Sequence, residues 1–591
     1  VMRDRNHACI LMWSLGNESY WGSNFSAMYQ YIKAQDPTRP VHYEGDRAGD
    51  SSDVTSTMYS SIGLLQELDT SVKGKPHILC EFCHAMGNGP GSIAEYVEFM
   101  EHSQRIQGYF VWEWRDHGVK MVREDGTVCY RYGGEFGEDY NSGNFCMDGL
   151  LTSDNMPTPG FNAYAKAIEP LHVTMEEQAR ASLVNRFAFR TLKDVLAVWT
   201  LRCDGEPVAQ EEETLPPIVP QGRMALCAPG DLLKLAEQVS GHATLTLECR
   251  RGEEELGWGA CVVKRYQPVC AITRGKLSVE EKAERLLVRG EGFSLAVSKT
   301  DGRLKDYRVQ NRLLLIDGPM LDFFRAYIDN DRIPQKLWEK KNLHSMSVTV
   351  TDVRWDELQD SILISVGERI GANARNWRVL TKIEYRIFAD GVLKVRFFGR
   401  FEGNFGTGYL QEVPRVGTTL SVPAAFERAL YLGCGPDETY VDSRHNSRKD
   451  VFTSTVSSMS FAYECPQDSG NRTDTELLAL YDGQAGIAFA SLVPKDVSVH
   501  TCTAKDLWKA AHHVDLPVRE ELEVHIDQIN SGLGSGSCGP QHMCGYMAQT
   551  IPFDFDYAIV PISDSNLLSS ARHAQNVLAY CQQNRRENYV S

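Results

Sequence analysis

The chain has 591 residues, with 61 Lys and Arg against 78 Asp and Glu and a formal net charge of -17. That length exceeds what one hydrophobic core can organise and predicts roughly three to five domains. The acidity argues against nucleic acid or an anionic membrane as the partner, since both select for Lys and Arg.

A neutral small molecule fits better, and an aromatic content of 10% with 10 Trp supplies ring faces for sugar C–H surfaces as well as for cores. The 16 cysteines are scattered from Cys9 to Cys581 without dense repeated spacing, so they read as mostly reduced, buried thiols. No apolar stretch approaches the roughly 20 residues of a membrane span, and no basic-then-apolar signal opens the chain. A soluble cytoplasmic protein is expected. The chain starts Val1-Met2-Arg3-Asp4 and enters an apolar run almost at once, as a chain cut inside a domain would.

From residue 1 to about 165, strand-like runs alternate with helical patterns. Ala8 to Trp13 reads as a strand, Asn24 to Ala34 as a helix with Met28, Tyr29 and Ile32 on one face, and Pro40 to Tyr43 as the next strand. Val54 to Tyr59, a short helix Ile62 to Leu68, the strand His77 to Phe82, a helix Ser92 to His102 and the strand Tyr109 to Trp114 follow. Such alternation predicts parallel strands with crossover helices. Five strands make the C-terminal part, strands four to eight, of a (β/α)8 TIM barrel, the other three preceding Val1. In that register Glu18 ends strand four and Glu81 ends strand seven, at the carboxyl ends where barrels carry their chemistry.

After Pro157-Thr158-Pro159-Gly160 the texture becomes alternating and antiparallel. Val195 to Leu201 and Ala243 to Cys249, with Asp204-Gly205 as a hairpin turn, predict a small immunoglobulin-like β-sandwich at 166–270. Short strands with turns at Asp301-Gly302, Asp317-Gly318, Asp390-Gly391 and Asp482-Gly483 predict a large β-sandwich domain at 271–563. A tail at 564–591 holds a helix, Leu567 to Gln582, and a polar end. The expected fold is multidomain, α/β plus all-β.

Retaining glycoside hydrolysis needs one protonated carboxyl and one ionised carboxylate across about 5 Å. Glu18, in Trp13-Ser14-Leu15-Gly16-Asn17-Glu18-Ser19, and Glu81, in Cys80-Glu81-Phe82-Cys83-His84, suit that pairing. Singly each has a plainer reading, Glu18 as a surface carboxylate beside a helix cap and Glu81 as half of a structural ion pair. Cys80-x-x-Cys83-His84 also matches the c-type haem attachment pattern, but it lies in a strand-like run with no export signal. Cys80 and Cys83 as a zinc half-site would need Cys538 and Cys544, whose spacing is loose and lacks a His pattern.

The runs Arg3-Asp4-Arg5-Asn6-His7, Trp13 to Ser19, Cys80 to Asn88, Phe110 to Trp114, Gly133 to Gly137 and Asn144 to Leu150 resemble the β-galactosidases of glycoside hydrolase family 2, a retaining family. The resemblance continues through Phe323 to Asn330 and Leu432 to Tyr440 to Gly532-Leu533-Gly534-Ser535, so it spans nearly the whole chain. Met86 to Gly91 and Phe145-Cys146-Met147-Asp148-Gly149 are more similar to the "evolved" bacterial branch than to the lactose-operon type.

The resemblance implies hydrolysis of terminal β-D-galactose residues from β-galactosides such as lactose, through a galactosyl-enzyme intermediate. Glu18 matches the general acid/base, held protonated by burial and by the nearby carboxylate, and Glu81 matches the nucleophile. Asn17 matches a ligand of the sugar 2-hydroxyl, Tyr59 the phenol that bonds the nucleophile, His84 a galactose-hydroxyl ligand and Trp114 the aromatic floor. Phe145, through its carbonyl, and Asp148 match a Na+ site in which the lactose-operon type has Asn at the second position. Glu18 matches an Mg2+ ligand whose other ligands precede Val1. A galactose mutarotase-like fold for the large β domain and a homo-oligomer are implied too. The competing expectation is an inactive fragment or carbohydrate-binding subunit that needs an upstream complementing polypeptide.

Overall fold

The computed structural model describes residues 1–70, 74–176, 178–405, 411–563 and 567–590, and only the backbone at 544 and 584–590. It divides into two compact units: Val1–Ala167 with Ile328–Arg332 and Leu533–Met543, and the remainder.

The first unit is a parallel α/β array. Its parallel strands and helices are β1 (Trp13–Ser14), α1 (Ser23–Gln35), β2 (Val41–His42), β3 (Thr55–Met58), α2 (Ile62–Thr70), β4 (His77–Phe82), α3 (Ile93–His102), β5 (Ile106–Val111) and α4 (Pro159–Ala167), with an antiparallel hairpin of Val119–Val122 and Val128–Arg131 between β5 and α4. β1 pairs parallel with β2, a parallel bridge joins His42 to Val54 at the start of β3, and β3, β4 and β5 pair in parallel. The β4 run His-Ile-Leu-Cys-Glu-Phe is apolar at all but His77 and Glu81 because a parallel strand is covered on both faces; Ile78, Leu79 and Phe82 are all buried. On α3, Ile93, Tyr96, Val97 and Met100 follow the helical i, i+3, i+4, i+7 spacing and bury against Leu79, Phe82 and Ile106.

Three features differ from the sequence expectation. The first strand is Trp13–Ser14 rather than Ala8 to Trp13, because only the Trp13 and Leu15 amides meet carbonyls of the short β2 segment, those of Pro40 and His42. The preceding residues form turns. The last strand ends at Val111, which leaves Trp112 and Trp114 in the loop beyond it. On α1, Met28 is exposed and Ile32 alone is buried.

In the second unit, Leu171–Met175, Arg180–Asn185 and Arg223–Cys227 form one antiparallel sheet, and Glu206–Thr214, Leu196–Cys203, Ala243–Arg251 and Glu254–Lys264 another. Their common core includes Val173, Leu183, Trp199, Leu201, Leu245 and Leu247. Asp204 and Gly205 make a two-residue hairpin turn with φ of 52° and 88°, the left-handed pair that matches strand twist.

A sixteen-stranded, largely antiparallel sheet between Ser278–Glu281 and Phe553–Ser563 makes up most of the rest. Gly302, Gly391 and Gly483 sit at turns, but Asp317-Gly318 does not. Those two residues lie inside the strand Arg312–Asp322, where the pairing with Arg415–Pro423 shifts register, so a bulge stands where a turn was expected. The terminal helix runs from Leu567 to Val590 and packs Ala571, Ala574, Val577, Leu578 and Cys581 against sheet residues including Ala488, Ala490 and Val560. Residues 564–566 and 591 of the expected tail lie outside the described residues. No described helix is long and apolar enough to cross a membrane.

Candidate active site

The chain makes sharp exits from β1, β3 and β4, and those exits carry the chemistry. Glu18, Tyr59 and Cys83 all have φ near +50°, at 48°, 47° and 49°. Each left-handed non-glycine residue costs on the order of 1 kcal/mol or more, a cost that concentrates at functional sites. These turns follow β1, β3 and β4, where Asn17, Tyr59 and Glu81 meet.

Glu81 is the centre of the cluster. Tyr59 donates its backbone N–H to the Glu81 carbonyl at 2.9 Å, its hydroxyl bonds the Glu81 carboxylate, and Asn17 Nδ2 donates to Glu81 Oε1 at 3.5 Å. Burial raises the Glu81 pKa above the ordinary glutamate value and the charge of Glu18 adds to that, while the bonds from Tyr59 and Asn17 and the nearby His84 oppose it. The same burial, with the Glu81 charge, drives the Tyr59 phenol far above its usual range, so Tyr59 stays a donor.

Glu18 lies close enough to Glu81 to shift it, but its side chain is exposed, so the burial expected to protonate it is absent. Its surroundings are set by Glu44, whose Oε2 accepts the Glu18 amide at 3.3 Å. Glu18 and Glu44 line a cleft of about 890 Å³ together with Tyr20, Thr57, Met58 and His77.

A second cluster adjoins Glu81. His84 is 1% exposed, with Nδ1 2.8 Å from Ser537 Oγ and Nε2 3.4 Å from Asp148 Oδ2. Trp112 Nε1 also donates to Asp148 Oδ2, at 3.1 Å. Burial and the facing Asp148 carboxyl push Glu113 up to about 7. Burial works against ionising Asp148 as well, yet bonds from His84, Glu113 and Trp112 hold its pKa below the usual value. The Phe145 ring stacks obliquely on His84 at 5.3 Å and lies under the Arg332 guanidinium at 5.4 Å.

Asp148 suits a hard cation. Its Oδ1 is buried and has no hydrogen-bond partner among the described residues, an arrangement costly for a carboxylate unless a cation takes the lone pairs. Near Glu18, the second carboxylate of Glu44 makes the donor set suitable for a divalent ion.

Of the residues singled out in the sequence, Asn17, Glu18, Tyr59, Glu81 and His84 come together, and Phe145 and Asp148 join them through His84. Trp114 is not placed among them: its ring is 59% exposed and meets Phe161 edge-on at 5.9 Å. The indole beside the site is that of Trp112. Cys80 points its thiol to the Thr57 carbonyl and Cys83 is buried in the apolar core, while the side chain of Cys544 lies outside the described residues. Cys9, Cys227, Cys270 and Cys538 are exposed, against the expectation of mostly buried thiols.

Reading the sequence missed Glu44, Trp112, Glu113, Asn330, Ser537 and Cys538. Cys538 lies within reach of Tyr59 and Glu81. Trp112, Glu113 and Asn330 sit within the runs that carry the resemblance, and Ser537 and Cys538 follow another of them, Gly532 to Ser535; that adjacency was the available signal.

Two family models match the chain: "Glycosyl hydrolases family 2, TIM barrel domain" over residues 1–173 and "Beta galactosidase small chain" over 289–560. A β-galactosidase of Kluyveromyces lactis is 30% identical over 94% of this chain and 54% of its own length. Those of Priestia megaterium and Vibrio cholerae are 29% and 28% identical over 90% of this chain, and over 52% and 54% of theirs. The chain thus spans about half the length of these relatives. Among solved structures, a Parabacteroides merdae β-glucuronidase aligns over 68% of this chain and 49% of its own at 12% identity with a TM-score of 0.23, too low to bear on function. With both models in place along it, the chain belongs to glycoside hydrolase family 2.

Proposed function

We propose that this chain carries the catalytic centre of a retaining β-galactosidase. The observation that carries the reading is Glu81, which Tyr59 and Asn17 hydrogen-bond from beyond the ends of β3 and β1, with Glu18 beside it. Glu81 attacks the anomeric carbon of a terminal β-galactoside such as lactose, while Glu18 protonates the departing oxygen; Glu18 then takes a proton from the water that releases galactose. The exposure of Glu18 suits that exchange with water, and a bound aglycone would bury it.

Asn17 and His84 hold sugar hydroxyls, and Trp114 provides apolar surface to the sugar once further segments cover it. The Phe145 carbonyl and Asp148 would hold Na+, which would supply fixed positive charge for a sugar hydroxyl, and Glu18 with Glu44 would provide carboxylates for Mg2+. The protein is read as soluble and cytoplasmic, and as a homo-oligomer.

A second reading has its own observation. A TIM barrel closes with eight strands, and the described residues of the first unit supply five parallel ones, with β1 and β5 as edges. Turnover then requires an upstream segment or a complementing polypeptide. Hydrolysis of a chromogenic β-galactoside by this chain alone, and by the chain joined to the upstream part of its own protein, tests both. Turnover only in the joined form supports the second reading, and no turnover in either form sinks the enzyme.

A further inference from the structure

His84 reaches Ser537 across 453 residues of sequence, and a buried relay continues beyond it. The Ser537 amide N–H donates to Asn330 Oδ1 at 3.2 Å, and Ser537 Oγ lies 2.8 Å from the same oxygen. Asn330 Nδ2 donates to the Asn88 carbonyl at 3.2 Å. His84, Asn88 and Asn330 are 1–2% exposed and Ser537 3%, so each polar contact must be complementary.

The two ends of this chain have fixed polarity. A carbonyl only accepts and a backbone N–H only donates, so the Asn330 amide has one allowed orientation, with Nδ2 toward Asn88 and Oδ1 toward Ser537. Oδ1 cannot donate, so the Ser537 hydroxyl spends its one proton there. What Ser537 Oγ offers His84 is a lone pair, and His84 Nδ1 must supply the proton of that 2.8 Å bond. Gly89 completes the fit: a Cβ at that position would run into Asn330 Nδ2, so bare backbone is what seats the amide.

We infer that Asn330 and Ser537 are positioning residues that hold a proton on His84 Nδ1, which leaves Nε2, 3.4 Å from Asp148 Oδ2, as the ring nitrogen presented toward Asp148 and the sugar. The role toward the sugar rests on the galactosidase reading; the tautomer rests on the geometry alone. Two short segments from the later part of the chain, Ile328–Arg332 and Leu533–Met543, thereby set the hydrogen-bonding polarity of a residue at the end of β4.

Nitrogen-15 labelling of histidine rings in the full chain reads the tautomer directly, the His84 signals being those lost in His84→Phe. A protonated Nδ1 is expected, and an unprotonated Nδ1 overturns the relay whether or not the protein turns over substrate. In the form that hydrolyses β-galactosides, Ser537→Ala is expected to lower kcat/KM on the order of tenfold to a hundredfold, the value of one buried hydrogen bond left unmade. Ser537→Thr, which keeps the hydroxyl, restores most of it. Gly89→Ala, which displaces Asn330 and leaves both bonded partners intact, is expected to reproduce the Ser537→Ala loss. The loss should vanish for the one monodeoxygenated galactoside that lacks the hydroxyl held by His84. An equal loss on every deoxygenated galactoside, or no rescue by Thr in a variant that keeps its far-ultraviolet spectrum, overturns the positioning role. Absence of turnover in the parent protein counts against the galactosidase reading, and the ring spectrum then decides the relay.

Discussion

Tyr59 binds Glu81 twice, through its backbone N–H to the Glu81 carbonyl at 2.9 Å and through its hydroxyl to the carboxylate. The first contact locks the end of β3 to β4, and the second lowers the cost of carrying charge on a half-buried glutamate. Tyr59→Phe removes only the second. Without that donor the Glu81 pKa rises further, so the acidic limb of the kcat/KM profile should move to higher pH. The rate at the optimum should fall by about a hundredfold or more. A profile that keeps its acidic limb in place refutes this coupling.

The division of labour between the two carboxylates is separately testable. Glu81→Gln should abolish covalent labelling by a 2-deoxy-2-fluoro galactoside, since an amide cannot form the glycosyl ester. Glu18→Gln should mainly slow galactosides with poor leaving groups and spare nitrophenyl substrates, because only the former need protonation. Equal loss on both substrate types contradicts the acid role.

Asp148 Oδ1 is buried without a partner among the described residues, and a cation is the expected complement. Turnover should rise with Na+ at constant ionic strength, with choline as the replacement ion. Asp148→Ala should remove that response, and Asp148→Asn should keep it at roughly tenfold or lower affinity. A response that survives in Asp148→Ala places the ion elsewhere.

His77, 2% exposed between the Thr55 and Thr57 hydroxyls at 3.0 and 3.1 Å, has its pKa lowered by burial to about 4 from the ordinary 6.5, with Arg105 adding to the effect. Between those values the unfolded chain binds a proton that the folded chain does not, so stability falls as pH drops from 6.5 toward 4. The thermal midpoint of the wild type should fall through that window more steeply than that of His77→Gln. Parallel curves would show that this imidazole is not the source.

Gly257 lies in the strand Glu254–Lys264, where a Cβ would collide with the carbonyl of fully buried Leu171. Gly257→Ala should destabilise the small sandwich by about 1–3 kcal/mol, read by chemical denaturation. Undiminished stability would mean that the two sheets can separate at this point without cost.

Much of the local structure is written in the sequence because it is decided locally. The His77–Phe82 run is apolar at every position but its first and Glu81, as a strand covered on both faces requires, and an isolated charge at its carboxyl end is conspicuous for that reason. Ile93, Tyr96, Val97 and Met100 declare α3 by spacing. Where partners set the answer, sequence was a poorer guide: Ala8 to Trp13 has the composition of a strand, but β2 offers carbonyls to Trp13 and Leu15 only, and Asp317-Gly318 has the composition of a turn inside a continuous strand.

The sequence by itself determined the candidate glutamate pair, the placement of Glu81 at the end of β4 and the family, because those rest on contiguous runs of residues whose side chains act within one strand and its loop. Tertiary structure alone decided what surrounds them. The exposure of Glu18, the turn of Trp114 onto Phe161 and the relay from Asn88 through Asn330 and Ser537 to His84 depend on residues up to 453 positions apart. A hydrogen bond is fixed by distance and polarity in space, and no periodicity along the chain encodes which distant donor will meet which acceptor.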